Sequence, residues 1–131
     1  MNTYQLAIEI LEDAFAAVSR GWAQKVFAKD ENGYMVSPDD SRATSYCLAG
    51  GIHCGFYKAL EKHKNVLAED EIDKAFQLCF KIVKEKMPIG DSIVDFNDCS
   101  VTTQTDVLQV LTDAKTSLEN TNIAAPNVVE S

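Results

Sequence analysis

The chain is poor in positive charge and in histidine. Its 131 residues carry 12 Lys and Arg against 20 Asp and Glu, a formal net charge of -8, with 2 His. Neutralising phosphates requires a basic face, so direct nucleic-acid binding is not expected. Electrostatic docking on anionic lipid is disfavoured for the same reason. Long hydrophobic runs are also missing. The longest stretch without Asp, Glu, Lys or Arg, Ala43 to Tyr57, is too short to span a bilayer and contains three glycines. The first residues, Met1-Asn-Thr-Tyr-Gln, carry no basic charge, and Glu9, Glu12 and Asp13 interrupt the apolar residues that follow. That is not the pattern of a secretory signal, so a soluble, cytoplasmic protein without membrane association is expected.

Motifs that carry chemistry are absent as well. The four cysteines, Cys47, Cys54, Cys79 and Cys99, form no Cys-x-x-Cys pair and are expected as buried free thiols. Within an intact helix, Cys47 and Cys54 would lie about 10.5 Å apart along the axis, too far for a disulfide. His53 and His63 belong to no His-x-x-x-His or Glu-x-x-His pair. There is no calcium loop, no phosphate-cradling glycine loop and no Gly-x-Ser-x-Gly elbow. No metal, cofactor or catalytic residue is therefore expected.

What is present is helical periodicity. Leu6, Ile10, Leu11, Ala14, Phe15 and Val18 predict an amphipathic helix over 3–19, capped by Asn2 or Thr3. Trp22 to Ala28 reads either as a further helical segment or, through Val26-Phe27-Ala28, as half of a small hairpin. The other half would be Tyr34-Met35-Val36, after the Asn32-Gly33 turn. Ser37-Pro38 reads as a helix start, which predicts a long helix over 39–63. Ala43, Cys47, Gly50, Gly51 and Cys54 form a small-residue stripe on it, and a break at Gly50-Gly51 is its weak point. Glu69-Asp70-Glu71 opens the next helix, with Ile72, Ala75, Phe76, Cys79, Phe80, Val83 and Met87 on its apolar face, and Pro88 and Gly90 stop it. Asp91 to Phe96 fits one short helical turn, and 97–103 a polar loop. Thr103 or Thr105 caps a last helix carrying Val107, Leu108, Leu111, Ala114 and Leu118. The expected fold is an all-α, compact single-domain bundle of about four main helices plus short helical turns, with one minor hairpin near 26–36. The domain spans 1–118, and 119–131 is a flexible C-terminal tail.

The segment Asp95 to Val107 concentrates short polar side chains between an aromatic residue and a helix start. One reading is a polar pocket built from Trp22, Cys47, Asn97, Asp98, Thr105 and Asp106. The other is structural: Asn97 and Asp98 hold a turn by side-chain-to-backbone bonds while a threonine caps the helix. Trp22 serves either as a core anchor or as the rim of that pocket.

Several blocks occur in an ordered pattern: Trp22-Ala-Gln, Asp30-Glu-Asn-Gly33, Ala43-Thr-Ser-Tyr-Cys47-Leu-Ala-Gly50-Gly-Ile52, Ile93-Val-Asp-Phe96-Asn97-Asp98 and Thr105-Asp106-Val107-Leu108. Over roughly residues 5 to 118 this pattern resembles the domain-of-unknown-function family 6197, small proteins of bacteria and phages. The Cys-Leu-x-Gly and aromatic-Asn-Asp blocks are its more specific parts. The chain departs from the pattern at Phe96, where tryptophan is common, and at Gly51, where alanine is common. The resemblance implies no activity; it points to a phage or prophage accessory protein. Together these readings favour a protein that binds a partner over an enzyme. Its charge suits a host protein with a basic surface. The competing reading is a small-ligand-binding protein or enzyme using the pocket around Asn97 and Asp98.

Overall fold

The computed structural model describes residues 1–124. Five helices and one two-stranded sheet follow in the order α1 (Thr3–Arg20), β1 (Ala28–Lys29), β2 (Ser45–Tyr46), α2 (Leu48–His63), α3 (Glu69–Lys86), α4 (Ile93–Asp98) and α5 (Gln104–Ala124). The all-α bundle with a minor hairpin is the observed architecture.

Helix α1 is the hub, packing against α2, α3 and α5. Its buried face is Leu6, Ala7, Ile10, Leu11, Ala14, Ala17 and Val18, the stripe its periodicity predicts. Asn2 and Gln5 form a capping box, each side chain bonding the other's backbone N–H at 2.8 Å. Glu9, on the same helix, is tied to Lys62 and His63 at the end of α2, with His63 Nε2 2.7 Å from its Oε2.

Helix α2 begins at Leu48, nine residues later than the expected start. Ser37-Pro38-Asp39-Asp40 makes turns: the Asp40 N–H donates to Ser37 O, and Asp40 in turn holds Arg42 through its backbone N–H and its guanidinium. Cys47 caps the helix, its Sγ accepting from Gly50 N at 3.2 Å. The helix does not break at Gly50-Gly51, because the pair lies in its first turn and solves a packing problem there. A Cβ at Gly50 would sit 1.9 Å from the Phe27 carbonyl oxygen, and one at Gly55 2.4 Å from Ile10 O. Both clashes would be with backbone, so only glycine lets these segments cross so closely.

Residues 21–29 are extended and looped, which corrects the helical reading of Trp22–Ala28. β1 pairs antiparallel with β2, Ala28 opposite Tyr46 and Lys29 opposite Ser45. Tyr46 also exchanges backbone bonds with the other end of that segment, its N–H donating to Gly21 O and its carbonyl accepting from Ala23 N. The hairpin is present as a bridge between Lys29 and Met35, closed by the Asp30–Gly33 turn. Helix α5 runs to Ala124, past residue 118 where periodicity fades. Its extension is helped by a bond from Asn2 Nδ2 to Asn122 Oδ1 at 2.9 Å. The rest of the expected tail, 125–131, lies outside the described residues.

Candidate functional site

Four of the six candidate residues converge where α4, the start of α2 and the 21–29 segment meet. Asn97 lies at their centre, 1% exposed. Its Oδ1 accepts from Trp22 Nε1 at 2.8 Å and from Leu48 N at 2.9 Å. Its Nδ2 donates to Ala23 O and to Asp98 Oδ1, both at 3.0 Å. A carboxamide has two lone pairs and two N–H groups to place, so the Asn97 side chain is saturated. It also supplies the first free N–H of α2 with an acceptor, an external cap provided by another helix.

Asp98 continues the splice, its Oδ1 accepting from Lys25 N at 2.8 Å. Lys25 has φ 74, the only left-handed non-glycine residue among the described residues. Left-handed backbone in an L-residue costs on the order of 1–2 kcal/mol, and the Asp98 bond helps hold it. Gln24 completes the seam, its Nε2 donating to the carbonyls of Asn97 and Cys99.

Asn97 and Asp98 are therefore the last residues of α4, not the first of a polar loop. Thr105 and Asp106, in the first turn of α5, make no hydrogen bond to this cluster and do not line the cavity beside it. Asp106 forms a capping box with Thr103: its Oδ2 accepts from Thr103 N, and its N–H donates to Thr103 Oγ1. Thr105 is exposed in the same first turn of α5.

Cys47, Asn97 and Asp98 form one wall of a cavity of about 250 Å³; Val26, Phe27, Met35 and Val94 supply its apolar walls. Sequence periodicity did not find these apolar residues. Phe27 and Met35 flank the turn at Asn32-Gly33, and Val94 belongs to a helix only six residues long, so none sits in a repeat long enough to register. All three are exposed, Phe27 at 48%, Met35 at 72% and Val94 at 47%. Burial pushes the Cys47 thiol above its ordinary value, with Asp98 adding to the effect. It is therefore not a ready thiolate, although it caps a helix N-terminus.

Phe27 and Val94 also wall a second, shallower cavity of about 520 Å³ between α2, α3 and α4. His53 lies in it, edge-on to Phe27, Phe76 and Phe80 with ring centroids 5.0–5.8 Å apart. Burial lowers the His53 pKa from its ordinary value. A third and larger cavity, about 960 Å³, lies on the other side of α2 beneath the 38–43 loop. Its charges are mixed: Asp40 is paired to Arg42 and Glu61 to Lys64, while Arg20 lies 5.9 Å over the Tyr46 ring. Among the described residues no three His, Cys, Asp or Glu side chains cluster as a metal site would require, and no helix is long and apolar enough to cross a membrane.

No curated protein and no solved structure is similar to this chain. The residues that build the seam, Trp22, Cys47-Leu48, Gly50 and Phe96-Asn97-Asp98, are those of the ordered blocks in the sequence. The match of residues 2–117 covers all of them: the chain belongs to the family described as Family of unknown function (DUF6197).

Proposed function

We propose that this protein works by binding a protein partner through the face formed by Phe27, Met35 and Val94. One observation carries the reading. Three exposed apolar side chains from two separate parts of the chain converge on one cavity whose central polar residue, Asn97, is already fully bonded inside the fold. Converging exposed apolar groups mark contact surfaces more often than chemistry. Asn97 has no donor or acceptor left to offer a substrate. The alternative, a small ligand or substrate held by the Asn97–Asp98 segment, would have to rest on Asp98, whose Oδ1 is bonded to Lys25 N and Asn97 Nδ2 while its Oδ2 makes no hydrogen bond among the described residues.

The setting we propose is the cytoplasm of a bacterial host, with the protein as a phage or prophage accessory and the partner a host protein. The net charge of -8 favours a partner that is basic overall, because long-range fields steer encounter. That field sets how fast the two meet; the chemistry of the contact is a separate matter.

Photo-crosslinking tests the reading. A photoreactive residue in place of Met35, expressed in the cell that carries the gene, should give one discrete adduct. A second substitution, Val94→Asp, should abolish that adduct while leaving the far-UV circular dichroism intact. An adduct that survives Val94→Asp, or no adduct at all, would overturn the proposal.

A further inference from the structure

The cavity beside the proposed docking face differs in charge from the rest of the chain. Its ionisable lining residues are Lys81, Lys84 and His53, with no carboxylate among them. In a protein with 20 acidic residues and 12 basic ones this is a local inversion of sign. Lys81 and Lys84 are three apart on α3, so they project from the same side of the helix. Both are exposed, and neither forms an ion pair among the described residues, so both charges are available to an incoming group. Ser92, on the opposite wall, uses its Oγ only as an acceptor, from Asp95 N, which leaves its hydroxyl proton free to donate. The floor is aromatic, Phe80 and Phe27 about His53.

The two cavities share Phe27 and Val94 as a common ridge. A single bound segment can therefore cross from one to the other. From this arrangement we infer that the partner presents a segment carrying an apolar side chain for the 250 Å³ cavity and an acidic side chain beside it for Lys81 and Lys84. The inference rests on the docking role proposed above and specifies its chemistry. An acidic group here meets two cations and a hydroxyl donor, while a basic group meets like charge, which is costly at an interface. The remote field and the local contact thus select for different signs. The -8 charge attracts a protein that is basic overall, and the lysine pair sets which segment of it docks and in which register.

Selection from a display library of short random peptides on the full-length chain separates the possibilities. The expected result is enrichment of sequences with an Asp or Glu close to a Phe, Leu, Ile or Met. Repeating the selection on the Lys81→Glu/Lys84→Glu double variant should remove the acidic preference and keep the apolar one. Both lysines are exposed, so the fold should tolerate the change, which circular dichroism of the variant checks. Enrichment of apolar residues with neutral or basic neighbours would overturn the acidic-segment inference and leave the docking face standing. Peptides whose binding is unaffected by Val94→Asp, or no enrichment at all, would overturn both.

Discussion

Removal of the Asn97 side chain is the sharpest probe of how this protein is held together. Asn97→Ala leaves Leu48 N and Ala23 O without partners, at residues 0% and 5% exposed, where water cannot replace the lost bonds. Each orphaned buried group costs about 1–3 kcal/mol. Trp22 is half-buried and recovers part of its loss from solvent. The expected destabilisation is about 3–5 kcal/mol, a large share of the roughly 5–15 kcal/mol that holds a domain of this size. Urea denaturation measures it directly. The chain has a single tryptophan, and its indole N–H bonds Asn97, so Trp22 fluorescence reports on the seam while far-UV circular dichroism reports on the helices. Asn97→Asp sharpens the test. It keeps one acceptor oxygen but turns the second toward Ala23 O and Asp98 Oδ1, where only a protonated carboxyl can donate. Burial and Asp98 raise the folded-state pKa of the introduced carboxyl above its unfolded value of about 3.9. The deficit of this variant relative to the parent should therefore be full at neutral pH and shrink as pH falls through that raised value. A loss below about 1 kcal/mol for Asn97→Ala would refute the claim that this residue splices the fold.

Four further outcomes are expected. Gly50→Ala and Gly55→Ala should each cost about 2–3 kcal/mol in chemical denaturation, because the new methyl meets a carbonyl oxygen and neither backbone can withdraw. Cys47→Ser should keep the helix cap and Cys47→Ala should lose about 1 kcal/mol; in the parent, iodoacetamide should alkylate the partly exposed Cys99 faster than Cys47. Burial raises the pKa of Glu9, but Lys62 and His63 together lower it more, so its net shift is downward from 4.5. The Glu9 contribution is therefore complete above pH 4.5 and lost as pH falls through the lower folded value, and Glu9→Gln should flatten that part of the acid-unfolding curve. Lys25→Gly should raise the denaturation midpoint by the equivalent of about 1 kcal/mol, since glycine adopts the left-handed backbone without strain.

The sequence was legible where one element answers to one period. Helices α1, α3 and α5 present their apolar faces at three-to-four spacing, and each begins close to where its pattern begins. Legibility failed where contacts are long-range. Ser37-Pro38 carries the chemistry of a helix start, yet the chain goes on to a strand whose paired residues, Ala28 and Lys29, lie eighteen and sixteen residues before their partners Tyr46 and Ser45. Two-residue strands are too short to show alternation. The small-residue stripe was visible, but its cause was not: Gly50 is small because Phe27 O crosses it, and Gly55 because Ile10 O does. Asn97 and Asp98 stood out as part of a run of short polar side chains between an aromatic residue and a helix start. Which neighbours they serve depended on Trp22, Ala23 and Lys25, about seventy-five residues away. Thr105 and Asp106 looked equivalent to them in composition, but bond only within their own turn, so proximity in sequence was misleading there.

The distance in sequence across the Asn97 seam also constrains when the proposed docking face can exist. Closing a loop of 75 residues costs entropy before any contact offsets it, and α4, with six residues, is far too short to be helical alone. Helices α1 and α2 can associate earlier, through local periodicity and the glycine crossings. The ridge of Phe27 and Val94, by contrast, joins two distant stretches of chain that meet only once α4 has docked. If the proposed docking role holds, it is tied to completion of folding: a chain that is collapsed but still lacks this last join would present neither cavity.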